Sequence, residues 1–287
     1  YLNNGAGWDA VAASTSLTDN LVSYWKLDES SGTAEDIQGS NDLSNVNSVA
    51  YASGKINNGA DFEKTSTQYL QIADESQSGL DFAGTMSVCL WLKPESNPDP
   101  GDTDGGWWTL ASKDTSGSRA FEFYYLPDGG TYRLAFYAFN SGGSSTNVWA
   151  TSNLGTGSFH HLCATWDGSQ SGATNKIRIY VDGSALNAYS SADGGVTSMT
   201  NSSAPFRVGA DNLGARYYVD GIIDELGVWS RSLASSEISN LYNSAAGTAY
   251  SALGGATESW VLPSGKYFAG TDTAPAGIDF GARFADF

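Results

Sequence analysis

Two adjacent carboxylates, Asp224 and Glu225, stand in the otherwise apolar run "GIIDELGVW" at 221–229. A buried charge is costly unless something pairs with it, so this pair calls for a hydrogen-bond network, a metal or a catalytic task. Glycoside hydrolysis would need two carboxyl groups facing each other across a cleft. Neighbours in a regular strand project to opposite faces, so Asp224 and Glu225 are not expected to flank one bond. Glu122, in "FEFYYLPD", stands alone. The only histidines, His160 and His161, come with no G-x-S-x-G elbow, and the sequence therefore predicts no enzyme. Otherwise Asp224 caps a turn or pairs with Arg216 or Arg231. Cys89 and Cys163 lack any C-x-x-C or Cys/His spacing, which excludes a zinc signature. They read as two buried free thiols, with a disulfide between them as the alternative. The "NSS" sequon at 201–203 indicates an exposed loop.

Aromatic side chains offer a different chemistry, because their faces stack on the apolar side of a sugar ring while a few fixed polar groups orient it. The chain has 9 Trp and 15 Tyr. Trp25, Trp91, Trp166 and Trp229 sit in strand-like motifs and are expected to pack. The candidate ligand-binding residues lie beside glycine-rich loops: Trp107 and Trp108 in "DTDGGWWTL", Trp149 in "STNVWAT", and Tyr217 and Tyr218 in "GARYYVDG". Trp108 has the alternative of opening the "WTLAS" strand and facing inward.

The elements that must position these residues are strands. Segments such as "SVCLWLK", "FEFYYL", "YRLAFYAF", "HHLCATW" and "KIRIYVDG" alternate apolar with polar residues, and "DGG", "SGG" and "DGS" turns separate them. "SKDTSGSRAF" at 112–121 reads as a hairpin turn. About ten such strands predict an all-β, antiparallel two-sheet sandwich. One short helix follows in "LASSEISNLYNS", where Leu233, Ile238, Leu241 and Tyr242 share a face. The formal net charge of -17 disfavours nucleic acid and anionic membranes, and no run of 18 apolar residues predicts a membrane span. The chain begins at Tyr1 with no visible signal peptide, which suggests a mature product or a fragment.

Three regions are expected: 1–19, with "YLNNGAG" resembling "LYNSAAG" at 241–247 like the end of a preceding repeat; a core domain at 20–247; and an arm or linker at 248–287. The arm's widely spaced Tyr267, Phe268, Ile278, Phe280, Phe284 and Phe287 are too apolar for a solvated linker. An arm that packs on this domain or on a neighbouring copy of the chain accounts for them.

The ordered set "LVSYWKLDESSGTAEDIQGSNDL", "GKINNGADFE", "MSVCLWLKPE", "FHHLCATWDGS", "IRIYVDG" and "GIIDELGVWSRSLASSEISNLYN" resembles the laminin G-like, concanavalin A-like jelly-roll domains over about residues 20–247. The resemblance implies a jelly roll but no single function. It also implies a structural Ca²⁺ between an early loop, "EDIQGSND", and the closing strand, carried over onto Asp36, Asn41 and Asp224. Ca²⁺ takes six to eight oxygens, which two carboxylates, loop carbonyls and waters could supply. The expected function is a non-enzymatic recognition or adhesion module, extracellular or on a cell or virion surface, binding a carbohydrate such as a cell-surface glycan. The alternative is a structural surface or filament subunit assembled through residues 248–287.

Overall fold

The computed structural model describes residues 16–211 and 216–254, together with the backbone of two short paired strands, Leu2–Asn3 and Trp8–Asp9. The expectations for a repeat fragment at 1–15 and for the arm from residue 255 onward lie outside the described residues.

Two antiparallel sheets face each other, as the alternating patterns predict. The first runs in the order Ala188–Asp193, Ser145–Thr151, Thr131–Phe139, Ser118–Asp128, Trp108–Thr115, Phe206–Val208, Tyr69–Ile72 and Ser44–Val46. The second runs Ser184–Ala185, Ile177–Val181, His160–Asp167, Thr85–Pro94, Gly221–Trp229, Asn58–Phe62 and Ala50–Ser53, with Leu21–Trp25 also paired to Gly221–Trp229. The hairpin read at 112–121 forms, with Thr115 opposite Ser118 and Gly117 at φ 80° in a conformation that suits glycine. Between the sheets every second residue is apolar. Phe121, Phe123, Phe136 and Trp166 are fully buried, and Trp25 stacks on Phe206 with ring centroids 5.3 Å apart.

The outer face of the second sheet is closed by the chain itself. Helix Ser235–Tyr242 turns Ile238 and Leu241 inward, and with Leu233 they pack on Cys89, Cys163, Tyr180 and Trp229. The helix start is fixed by Glu237, whose carboxylate accepts from Ala234 N and pairs with Arg231. Arg231 in turn donates to the carbonyls of Ser16 and Asp19, and Trp229 Nε1 donates to Leu17 O. The four-residue helix Tyr250–Leu253 joins the same layer.

The cysteine expectation is corrected here. Cys89 and Cys163 are direct cross-strand partners on this outer face and form a disulfide. Sequence spacing could not reveal this, since the two are 74 residues apart and meet only through strand pairing. Their burial is as expected, at 1% and 0% exposure.

Candidate functional site

The Asp224–Glu225 pair resolves into a structural device. Along one edge of Gly221–Trp229, Asn58–Phe62 pairs with Gly221 to Ile223 and Leu21–Trp25 pairs with Leu226 to Trp229, leaving Asp224 and Glu225 between the two partners. On the other edge the register slips by one residue between Asp224, opposite Trp91, and Gly227, opposite Cys89. Glu225 takes φ 49° at this bulge. Ile223 and Leu226 both enter the core, so both carboxylates fall on the outer face; the expected alternation of the two is therefore wrong, because the bulge inserts an extra residue.

Asp224 accepts from the backbone N–H groups of Lys55 (2.6 Å), Ile56 (2.8 Å) and Glu225 (2.8 Å). Glycine is required nearby, since a Cβ on Gly54 would come within 2.7 Å of the Asp224 carboxylate. Glu225 accepts the hydroxyl of Tyr24, and its second oxygen, Oε1, is buried with no hydrogen-bond partner among the described residues. Burial pushes Asp224 up to about 8 and Glu225 up to about 7.

The calcium expectation meets the same chemistry. Asp36 accepts from the N–H groups of Tyr24, Gln38, Gly39 and Asn41, at 2.9 to 3.1 Å. The Asn41 side chain bonds Ser23 Oγ and both backbone groups of Ser78. Amide hydrogens thus point at the oxygens that would have to ligate a cation, and neither Asp36 nor Asp224 belongs to a ligand-spaced cluster among the described residues. A Ca²⁺ ion does not fit this donor set, which needs oxygens rather than N–H groups aimed inward.

The outer face of the first sheet is built differently. Strand register sets two rows across it. One row reads Thr109, Tyr124, Ala135, Trp149 and Ser190; the other reads Gln71, Arg207, Ser112, Glu122, Tyr137 and Asn147. At about 4.8 Å per strand these rows span an extended surface. Tyr124, Leu126 and Ala135 form its apolar floor, with Trp107, Tyr137, Trp149 and Tyr217 half-buried upon it. Trp107 stacks on Tyr217 at 5.6 Å and lies edge-on to Trp149 at 5.5 Å, while Trp149 Nε1 donates to the Tyr137 hydroxyl.

Tyr217 is held from two sides. Its N–H donates to Asp104, and the Arg216 guanidinium lies 4.2 Å over its ring. Arg216 pairs with buried Asp211. Beside these, Arg119 pairs with the buried carboxylates Asp114 and Glu122 and lies 3.9 Å from the Phe139 ring centre. Burial pushes Asp114 up to about 6, against the pull of Arg119. The hydroxyls of Thr109 and Ser112, fully buried on this face, have no partner among the described residues. A buried polar atom in that state marks a place for an ordered water.

Of the five predicted ligand-binding residues, the structure gathers Trp107, Trp149 and Tyr217 into this cluster. Tyr218 lies apart, 6.5 Å from Tyr69. Trp108 is corrected: it packs between the sheets at 1% exposure, because alternation turns it inward once Trp107 faces out. Sequence reasoning missed Tyr124 and Tyr137. The signal was alternation: in "FEFYYL" Phe121, Phe123 and Tyr125 enter the core and Tyr124 faces out, and in "RLAFYAF" Leu134, Phe136 and Ala138 enter the core and Tyr137 faces out. His161 is buried and structural, its pKa lowered to about 4 by burial, and His160 pairs with Asp182 at 2.8 Å. A cavity of about 350 Å³ beside Asn140, Thr197 and Asn201 contains neither charge nor aromatic ring, and offers less chemistry than the sheet face.

Several solved structures share the fold. The binding domain of Paraclostridial Mosquitocidal Protein 1 matches with TM-score 0.61 and 16% identity, over 80% of this chain and 53% of that one. Domain 4 of AbnA, an extracellular GH43 arabinanase from Geobacillus stearothermophilus solved with arabinotriose, matches with TM-score 0.53 and 20% identity over 77% of this chain and 97% of the domain. The binding domain of Botulinum Neurotoxin DC, solved with SialylT, matches with TM-score 0.58 and 12% identity over 80% and 52%. The chain thus spans about half the length of the toxin structures, and at such identities the likeness shows the fold alone. The two toxin structures are described as binding domains. No curated protein matches in sequence. No helix among the described residues is long and apolar enough to cross a membrane. A family profile described as the concanavalin A-like lectin/glucanases superfamily, of laminin G type, matches residues 64–239, more than half of the sequence, and the chain belongs to that superfamily.

Proposed function

We propose that this protein is a non-enzymatic carbohydrate-recognition module whose ligand surface is the outer face of the first sheet. The observation that carries the reading is the continuous aromatic patch of Trp107, Tyr124, Tyr137, Trp149 and Tyr217 beside a row of buried polar groups with unpaired hydroxyls. Aromatic faces supply stacking area at low entropy cost, and fixed polar groups orient hydroxyls. The arabinotriose-bound domain, matched over 97% of its length, supports a saccharide ligand by analogy. The disulfide suits an oxidising compartment, in keeping with an extracellular or surface role in adhesion.

In this reading amide-to-carboxylate bonds at Asp36 and Asp224 close the described domain, and no ion is needed there. A glycan-array screen of the full chain, run with Ca²⁺ and with EDTA, tests both points. Binding that Trp149→Ala weakens tenfold or more, with the same melt in the two buffers, is the expected result. No binding to any glycan would overturn the recognition reading, and a melt that falls in EDTA would restore a structural ion.

A further inference from the structure

The chain carries a net charge of -17 and few cations, yet it distributes them unevenly. Of the six arginines among the described residues, Arg178 and Arg231 lie elsewhere, while Arg119, Arg133, Arg207 and Arg216 lie on the outer face of the first sheet. Each of the four lies over an aromatic ring, 3.7 to 4.3 Å from its centre: Phe139, Tyr189, Tyr69 and Tyr217. Three of them are oriented by carboxylates, Arg119 by Asp114 and Glu122, Arg133 by Asp128 and Arg216 by Asp211.

A guanidinium laid flat on a ring and anchored from one side presents its remaining N–H edge outward, a planar fork that matches a carboxylate. Arg119 and Arg216 are the two that reach solvent, with side chains 35% and 41% exposed. Arg216 lies on Tyr217 of the Trp107–Tyr217 stack, and Arg119 lies on Phe139, whose ring stacks on Tyr137 of the same patch. Four guanidiniums offset most of the charge of the carboxylates here, Asp104, Asp114, Glu122, Asp128 and Asp211, whereas the chain as a whole carries -17.

Resting on the carbohydrate reading above, we infer that the ligand is an acidic saccharide, whose sugar carboxylate is received by the free Nη edge of Arg216, helped by the remaining Nη1 of Arg119, while its ring stacks on the neighbouring aromatic patch. Arg207, anchored by Gln71 and Asp211 O and nearly buried, shapes the polar row rather than meeting the ligand's charge. Burial of Asp114 adds a pH signature. Below about pH 6 its carboxyl takes up a proton and stops competing for Arg119, while a sugar carboxylate stays ionised. Arg119, Asp211 and Arg216 also face Asp114, and Glu122 faces it across Arg119.

Titration calorimetry on the full chain with two matched pairs, oligogalacturonate against neutral galacto-oligosaccharide and sialyllactose against lactose, tests the inference. The expected result is that at least one acidic member binds tenfold or more tightly than its neutral partner. That preference should be lost in Arg216→Gln and Arg119→Gln, shrink as salt rises, and grow on going from pH 8 to pH 5.5. Arg216→Lys keeps the charge without the fork and is expected to recover only part of the affinity, which separates ligand contact from a folding defect. Binding of neutral sugars as tight as their acidic partners, or acidic binding unchanged in both Gln variants, would overturn this inference and leave the carbohydrate reading standing. Absence of binding to all four probes and to the glycan array would overturn both.

Discussion

The two outer faces of the sandwich use the same strand alternation to opposite ends. On the second sheet, outward residues are apolar or internally bonded: Cys89, Cys163, Tyr180 and Trp229 lie under the Ser235–Tyr242 helix, and Asp224 is saturated by backbone amides. On the first sheet, outward Trp107, Tyr137, Trp149 and Tyr217 remain half-buried over a floor of buried Tyr124, with no helix over them among the described residues. A face covered by its own chain stabilises; a face that leaves aromatic rings and guanidiniums at the surface has room for a ligand. The contrast teaches that the tempting acidic pair lies on the wrong face for recognition.

The sharpest way to break this comparison is to remove the disulfide. A Cys89→Ala, Cys163→Ala double variant opens a loop of 74 residues and is expected to lose about 4 kcal/mol in denaturant unfolding. Unchanged stability would show that the covered face does not depend on it.

Next in size, Asp224→Ala strands three backbone N–H groups and is expected to cost about 3 kcal/mol, measured the same way. A loss well under 1 kcal/mol would mean the 54–57 loop finds other acceptors.

The covered face also predicts a pH profile. Asp224 and Glu225 hold their protons when folded up to about 8 and about 7, while the unfolded chain releases them near pH 4. Their contribution is therefore fully present below about pH 4 and is lost as pH rises through 7 to 8. His161 acts in the other direction between about pH 4 and 6.5, where the folded ring stays neutral and the unfolded one takes a proton, and so offsets one of the two carboxyls there. Together the three groups predict thermal melts that fall gently from about pH 4 to 6.5 and more steeply above it. In Asp224→Asn the alkaline slope should flatten; an unaltered slope would place the titration elsewhere.

The smallest expected effect on stability is at the ligand face. Trp149→Ala removes a half-buried ring and is expected to cost about 1 kcal/mol or less, while binding falls at least tenfold. The reverse pattern, a large loss of stability with binding intact, would make the aromatic patch a packing layer and erase the difference between the faces.

The sequence by itself determined the sandwich, since period-2 alternation in "RLAFYAF" or "HHLCATW" dictates which residues enter the core whatever their partners. It also determined the helix at Ser235–Tyr242, through apolar spacing, and the 112–121 hairpin, through its glycine. Three things were decided only by tertiary structure. The Cys89–Cys163 bond depends on which strands are neighbours. The shared orientation of Asp224 and Glu225 depends on a bulge opposite two different partners. The gathering of Trp107, Trp149 and Tyr217, with Trp108 turned away, depends on register across strands distant in sequence. Local alternation is a property of one segment, whereas pairing and register arise from contacts between segments, and the candidate site is made of the latter.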